Sequence, residues 1–145
     1  MISSSAFLEI NTNNLLHNYK YLASISKSSS AGATIKANAY GLGVIKVFHI
    51  LYKAGCRHFF VASLQEALTI RNKYKKGFVY VLNGLNTKNI KLLIKEKNVI
   101  PIINSIENLN EIQKEIFNKK KIIKIGIHID TGINRLGIIY NEFRK

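Results

Sequence analysis

The stretch HFFVASLQEALTIRNKYKKGFVYVL, residues 58–82, decides the fold. His58 to Ala62 is a short apolar run of strand length. Ser63-Leu64-Gln65-Glu66 reads as a capping box, in which the Ser63 and Glu66 side chains satisfy each other's backbone N–H donors at a helix start. The helix it predicts runs to about Tyr74, and Phe78 to Leu82 is the next apolar run. Strand, capped helix and strand in succession make a βαβ unit, because the helix returns the chain to the same end of the sheet and leaves the strands parallel.

Outward from this unit the same alternation continues. Upstream, Ala31 to Lys36 reads as a buried strand. A helix comes next with Val44, Val47, Phe48 and Leu51 on one face, and Gly55 stands where a left-handed cap belongs. Before it, Ala6 to Ile10 reads as a strand, Asn11 or Thr12 as a cap, and Leu15, Leu16, Tyr19, Leu22 and Ala23 as one helical face. Downstream, Thr87 caps a helix burying Ile90, Leu93 and Ile94. Val99 to Ile103 is a strand whose Pro101 argues against the assignment. Ser105 caps a helix carrying Ile106, Leu109, Ile112 and Ile116, Ile123 to Ile129 is the last strand, and a further helix begins near Tyr140.

Repeated strand–helix units predict a parallel sheet, and right-handed crossovers leave two closures: an open doubly wound sheet or a (β/α)₈ barrel of the TIM type. Neither a G-x-G-x-x-G after the first strand nor a P-loop is present, which counts against a nucleotide-binding open sheet. A complete barrel takes about 250 residues. This chain supplies about five of the eight strands, so it is either an open sheet or an incomplete barrel.

Of 145 residues, 22 are Lys or Arg and 8 are Asp or Glu, giving a formal charge of +14. Hydrophobic residues make up 47%, enough for a core. Ile 23, Lys 18 and Asn 16 dominate while Arg is 4. All three favoured types have A/T-rich codons, so genome composition accounts for the lysines without a selected partner. They are scattered, whereas a nucleic-acid surface gathers charge on one face with interleaved aromatics. No nucleic-acid partner is expected. Residues 1–10 lack the features of a signal peptide, and no apolar run approaches the roughly 18 residues of a membrane span. A soluble cytoplasmic protein is expected. Cys56 is alone, which excludes an internal disulfide framework, and His17, His49 and His58 have no ligand spacing, so no metal site is expected.

Two clusters could carry chemistry. Lys36 ends a strand and begins Lys36-Ala37-Asn38-Ala39-Tyr40-Gly41-Leu42-Gly43. Strand C-termini form the ligand face of parallel α/β folds. Burial there favours a neutral amine, able to form a Schiff base with an aldehyde cofactor and to move a proton. The alternative is a lysine that snorkels to solvent. The second cluster, His128-Ile129-Asp130-Thr131-Gly132-Ile133-Asn134-Arg135-Leu136-Gly137, leaves another strand end. Its guanidinium suits a phenolate, carboxylate or phosphate. The alternative is a structural turn capped by Asp130.

Together these motifs carry a resemblance. IKANAYGLG resembles the cofactor-lysine motif of the alanine racemase family, and HIDTGINRLGI is similar to that family's Asp-Thr-Gly-x-x-Arg-x-Gly motif, in the same order and at a similar separation. FLEINTNNLLHNYKYL and VASLQEALTIR extend the similarity over nearly the whole chain. The resemblance implies an N-terminal (β/α)₈ barrel, a following β-rich domain and a head-to-tail homodimer. It implies pyridoxal 5′-phosphate on Lys36, its phosphate met by Tyr40, and Arg135 at the cofactor's phenolic oxygen and the substrate carboxylate. The implied reaction interconverts L- and D-alanine, supplying D-alanine for cell-wall peptidoglycan, with Lys36 as the base for the D-face. Residues 1–145 would then be the N-terminal portion of the barrel, without the later strands, the β domain and its tyrosine, which serves the opposite face in the partner subunit. Leu42 departs from the family's His. His128 stands where many members have a Lys, often carbamylated, that holds the motif arginine. Rival readings are a catalytically silent remnant of a shortened or split gene, needing a complementing C-terminal fragment, and a non-catalytic pyridoxal-phosphate barrel.

Overall fold

In the computed structural model, which describes residues 6–26 and 28–143, helix α1 (Thr12–Ile25) starts where the Asn11 side chain accepts the Asn14 N–H at 3.0 Å. The chain then runs through β1 (Ala33–Thr34), a short turn α2 (Lys36–Tyr40), α3 (Val44–Lys53), β2 (His58–Val61), α4 (Leu64–Lys73) and β3 (Phe78–Val81). A 3₁₀ turn (Thr87–Asn89) leads into α5 (Ile90–Lys95), succeeded by β4 (Val99–Ile103), α6 (Ile106–Asn118), β5 (Gly126–Ile127), β6 (Ile129–Asp130), β7 (Ile138–Ile139) and α7 (Tyr140–Phe143).

Strands β1 to β5 form one parallel sheet in sequential order. That order separates the two closures. A doubly wound sheet reverses direction at a switch point, whereas a barrel adds each strand beside the last. The fold is α/β, a parallel barrel of the TIM type that is incomplete: among the described residues β1 and β5 are its two edges.

Alternation within the strands sets the layers. In β2 and β3, Phe59, Val61, Val79 and Val81 are fully buried against Phe48, Leu51, Ala67, Ile70, Ile90 and Leu93 of the helices. Each such large side chain contributes about 1.5–3 kcal/mol on burial. The opposite, concave face carries half-buried His58, Phe60, Phe78 and Tyr80, with the Phe60 and Tyr80 rings stacked at 4.8 Å and His58 Nδ1 2.9 Å from the Tyr80 hydroxyl. Glycines make room there: a Cβ on Gly32 would lie 2.8 Å from the Phe60 ring, and one on Gly126 2.5 Å from Ile102 Cδ1.

A single buried charge ties the helical side together. Arg71, 1% exposed, donates from Nη1 to the Tyr74 and Lys76 carbonyls and from Nη2 to those of Gly77 and Asn98. It joins the end of α4 to the starts of β3 and β4.

Most of the expected elements are present, and four expectations need correction. Residues 6–10 form no strand; no neighbouring strand pairs with them, and Phe7 is 92% exposed. Leu22, placed on the buried face of α1, is 63% exposed. The strands expected over Ala31–Lys36 and Ile123–Ile129 shrink to Ala33–Thr34 and Gly126–Ile127, because each is an edge with one hydrogen-bonding neighbour. The Thr87 side chain, expected as a helix cap, lies outside what the structure describes; α5 has Asn89 at its N-cap, and in the preceding turn Asn86 Oδ1 accepts the Lys88 N–H at 2.8 Å. Pro101 does sit inside a central strand, opposite Val81. The Asn98 carbonyl faces β3 and the Ile103 carbonyl faces the β5 side, so alternation points the missing Pro101 N–H toward β5. Pairing there begins only at Ile102, and no ladder bond is lost.

Candidate functional site

Lys36 stands directly after β1, at the C-terminal end of the sheet, and is half-buried. Ile35 before it is 2% exposed and donates to the Phe60 carbonyl at 2.8 Å, which seats the lysine beside β2. The turn after Lys36 is not a right-handed helix. Ala37, Asn38, Ala39 and Tyr40 have φ of 51°, 53°, 56° and 54°, one left-handed turn built from four residues that carry a Cβ. Each such residue costs roughly 1–2 kcal/mol.

Local hydrogen bonds offset part of that cost. Ala39 N–H donates to Ile35 O, Gly41 N–H to Ala37 O and Gly43 N–H to Asn38 O, at 2.9–3.0 Å. Asn38 Oδ1 accepts the Val44 N–H at 2.9 Å and so caps α3. One bond reaches outside the turn: Ala37 N–H donates to Glu66 Oε1 at 2.7 Å. Tyr40 projects from the turn, 63% exposed.

The second cluster follows β5 at the same end of the sheet and includes β6, which pairs in parallel with β7 as a separate two-stranded sheet. The Asp130 carboxylate accepts the Gly132 N–H at 3.0 Å and the Asn134 N–H at 3.0 Å from its nearer oxygen. These bonds hold its pKa below the ordinary carboxylate value. Asp130 therefore organises the loop that presents Arg135, as the turn reading expected. Gly137 closes it: φ is +111°, and a Cβ would lie 2.9 Å from the Asp130 nitrogen and 3.1 Å from the His128 ring. His128 does not reach Arg135. Its Nδ1 lies 2.9 Å from Asn104 Oδ1, while Asn104 Nδ2 donates to the Leu82 carbonyl at 2.9 Å, so one amide links the ends of β3, β4 and β5. Arg135 is exposed, and among the described residues neither it nor Lys36 has a carboxylate partner.

Lys36, Tyr40 and Arg135 thus share one end of the sheet but stand after strands at its opposite edges, and no hydrogen bond joins them. Three contributors went unread in the sequence: Asn38 as a cap, Asn104 as a bridge, and the long-range bond of Glu66. None has a local signal, since each acts across elements. Cys56 is fully buried, with its thiol 3.3 Å from the His58 carbonyl, and burial raises its pKa; it is a packing residue. No described helix is long and apolar enough to cross a membrane.

Comparison with known proteins extends these observations. The family model described as "Alanine racemase, N-terminal domain" matches residues 10–145. An alanine racemase of Rickettsia rickettsii is 37% identical over 139 residues, covering 95% of this chain and 39% of that relative. The crystal structure of an alanine racemase from Bartonella henselae with covalently bound pyridoxal phosphate superposes with a TM-score of 0.85 at 34% identity, over 93% of this chain and 39% of that one. A histidine racemase from Leuconostoc mesenteroides shares the fold, with a TM-score of 0.82 at 24% identity over 91% of this chain and 36% of that one. The chain therefore spans about two fifths of the length of these relatives.

Proposed function

The chain belongs to the alanine racemase N-terminal domain family, and from that premise we propose that it is the cofactor-carrying portion of an enzyme that interconverts L- and D-alanine, with pyridoxal 5′-phosphate held on Lys36. The observation that most supports this is the placement of two motifs: Lys36 follows β1 and the segment carrying Arg135 follows β5, both beyond the C-terminal end of one parallel sheet. In this reading residues 1–145 are the N-terminal part of the barrel, and the β-rich domain lies outside them.

The residues present suit the group. Lys36 offers a primary amine to an aldehyde, Tyr40 an exposed hydroxyl to a phosphate oxygen, and Arg135 a guanidinium unclaimed by any described carboxylate. When bound, pyridoxal phosphate supplies an electron-poor ring that makes the substrate Cα–H acidic. Lys36 holds the cofactor and moves the Cα proton on the D-face. Arg135 orients the substrate carboxylate, and Tyr40 anchors the phosphate. Racemisation also needs a base on the opposite face. A homodimer or a complementing C-terminal fragment supplies it in this reading. The corresponding role is cytoplasmic provision of D-alanine for cell-wall peptidoglycan.

The test has two arms. Incubation with pyridoxal phosphate and borohydride, then peptide mapping, is expected to place a pyridoxyl group on Lys36; labelling unchanged in Lys36→Ala sinks the assignment. Incubation with L-alanine in D₂O is expected to give little D-alanine from these 145 residues alone, since a lost acid–base group costs about 10²–10⁴-fold in rate. Cα deuteration without inversion supports one base. Robust D-alanine formation, abolished in Lys36→Ala, would overturn the division of bases. L-histidine serves as the comparison substrate, because the fold does not set the side chain.

A further inference from the structure

We propose that Glu66 is the positioning residue of Lys36: its carboxylate fastens the left-handed turn that carries the lysine to the corner where β2 becomes α4. The inference rests on the role given to Lys36 above. A capping box needs one bond from the acidic side chain, to the N-cap N–H. Glu66 makes that bond, Oε2 to Ser63 N at 3.1 Å, and two more: Oε2 to Ala62 N at 2.7 Å and Oε1 to Ala37 N at 2.7 Å. The third crosses from one strand–helix corner to the next and ends on the residue after Lys36.

The turn needs such a fastening. Ile35 N–H, bonded to the Phe60 carbonyl, fixes where the turn begins; the hydrogen bonds of the residues after Lys36 otherwise lie within residues 35–44 and shape the turn without fixing where its far side sits. Four successive left-handed residues bearing Cβ atoms are an unfavourable local choice, held only if something outside the turn selects it. Apart from the Asn38 cap on the adjoining α3, the Ala37–Glu66 bond is, among the described residues, the one hydrogen bond joining the residues after Lys36 to another element. Both carboxylate oxygens are required. A glutamine in the same place has one acceptor oxygen, so its amide must turn an N–H₂ toward either Ala37 N–H or the pair Ala62 and Ser63.

The experiment compares Glu66→Gln and Glu66→Asp with Ser63→Ala in the full chain. Ser63→Ala removes the other half of the cap, where Ser63 Oγ accepts from Glu66 N, and leaves the carboxylate bonds in place. The first readout is amide exchange over residues 37–43, which needs no cofactor. The second is the rate at which pyridoxal phosphate with borohydride labels Lys36: the amine nitrogen bonds to the aldehyde carbon, its oxygen leaves as water, and hydride makes the link permanent. Glu66→Gln is expected to speed the exchange and slow the labelling by about tenfold or more, with Glu66→Asp in between, while Ser63→Ala shifts both less than about twofold. If the Glu66 and Ser63 variants move both readouts only in proportion to their loss of thermal stability, Glu66 is merely a helix cap and the proposal fails. If the unaltered chain takes no label on Lys36, the cofactor reading fails, and the exchange arm still decides whether Glu66 holds the turn.

Discussion

Arg71 and Asp130 show what one side chain does in this protein. Arg71 is long and charged, yet its guanidinium is buried among four backbone carbonyls, and burial lowers its pKa from the ordinary arginine value. Each buried acceptor left without a donor costs about 1–3 kcal/mol. Arg71→Met is therefore expected to destabilise the fold by at least about 3 kcal/mol in urea unfolding, and Arg71→Lys recovers only part, because an ammonium cannot span four carbonyls. Asp130 acts through its charge. Its folded pKa is depressed by the Gly132 and Asn134 N–H groups, so its contribution is present above the unfolded value of 3.8 and disappears as pH falls through the lower, folded value. Acid titration by NMR is expected to release the Gly132 and Asn134 amides in that range. Asp130→Asn should abolish the transition; an unchanged profile would assign it to another group.

At the scale of elements, caps and left-handed residues decide where strands stop. Ser63 Oγ accepts the Glu66 N–H and starts α4. Ser63→Ala should cost about 1 kcal/mol of stability, measured by the denaturant midpoint at unchanged m-value. Gly137 permits the β6–β7 pair, in which Ile138 N–H donates to the His128 carbonyl at 2.8 Å. Gly137→Ala forces a Cβ against backbone at positive φ, a cost of roughly 1–3 kcal/mol. Fast exchange of the Ile138 amide is the expected sign that this pair has opened; retained protection in Gly137→Ala would show the loop relaxing instead.

At the scale of the whole molecule, the five-stranded sheet has two open edges among the described residues. Beside β5, residues Leu109, Ile112, Ile116, Phe117, Ile122 and Ile123 line an apolar groove, with Phe117 83% and Ile122 99% exposed. Unpaired edges and apolar patches invite association. Residues 1–145 by themselves are expected to be oligomeric, aggregated or loosely packed by light scattering and size exclusion. A monodisperse monomer with a sharp cooperative melt would show that the described sheet is self-sufficient. Addition of a C-terminal fragment carrying the later strands should suppress the association if those strands cover the groove.

Local pattern settled much of this protein in advance. Four apolar positions of α3, the capping box at Ser63, the Ser105 cap and the strands around Phe59 and Val79 are all where periodicity, apolar runs and side-chain chemistry put them, because each depends on neighbours within a few residues; which face of those strands is buried is not legible in their unbroken apolar runs. Lys36 and Arg135 were likewise legible as motif residues at strand ends. Other features were decided only when distant segments met. Strand order chose the barrel over the doubly wound sheet, and the lack of a second neighbour among the described residues shortened β1 and β5. Pro101 entered a central strand because its N–H side has no partner there. Of the four left-handed residues after Lys36, only Asn38 has a local propensity for that conformation. They are held by a carboxylate 29 residues further along the chain, and a bond of that range exists only once β1 and β2 lie side by side.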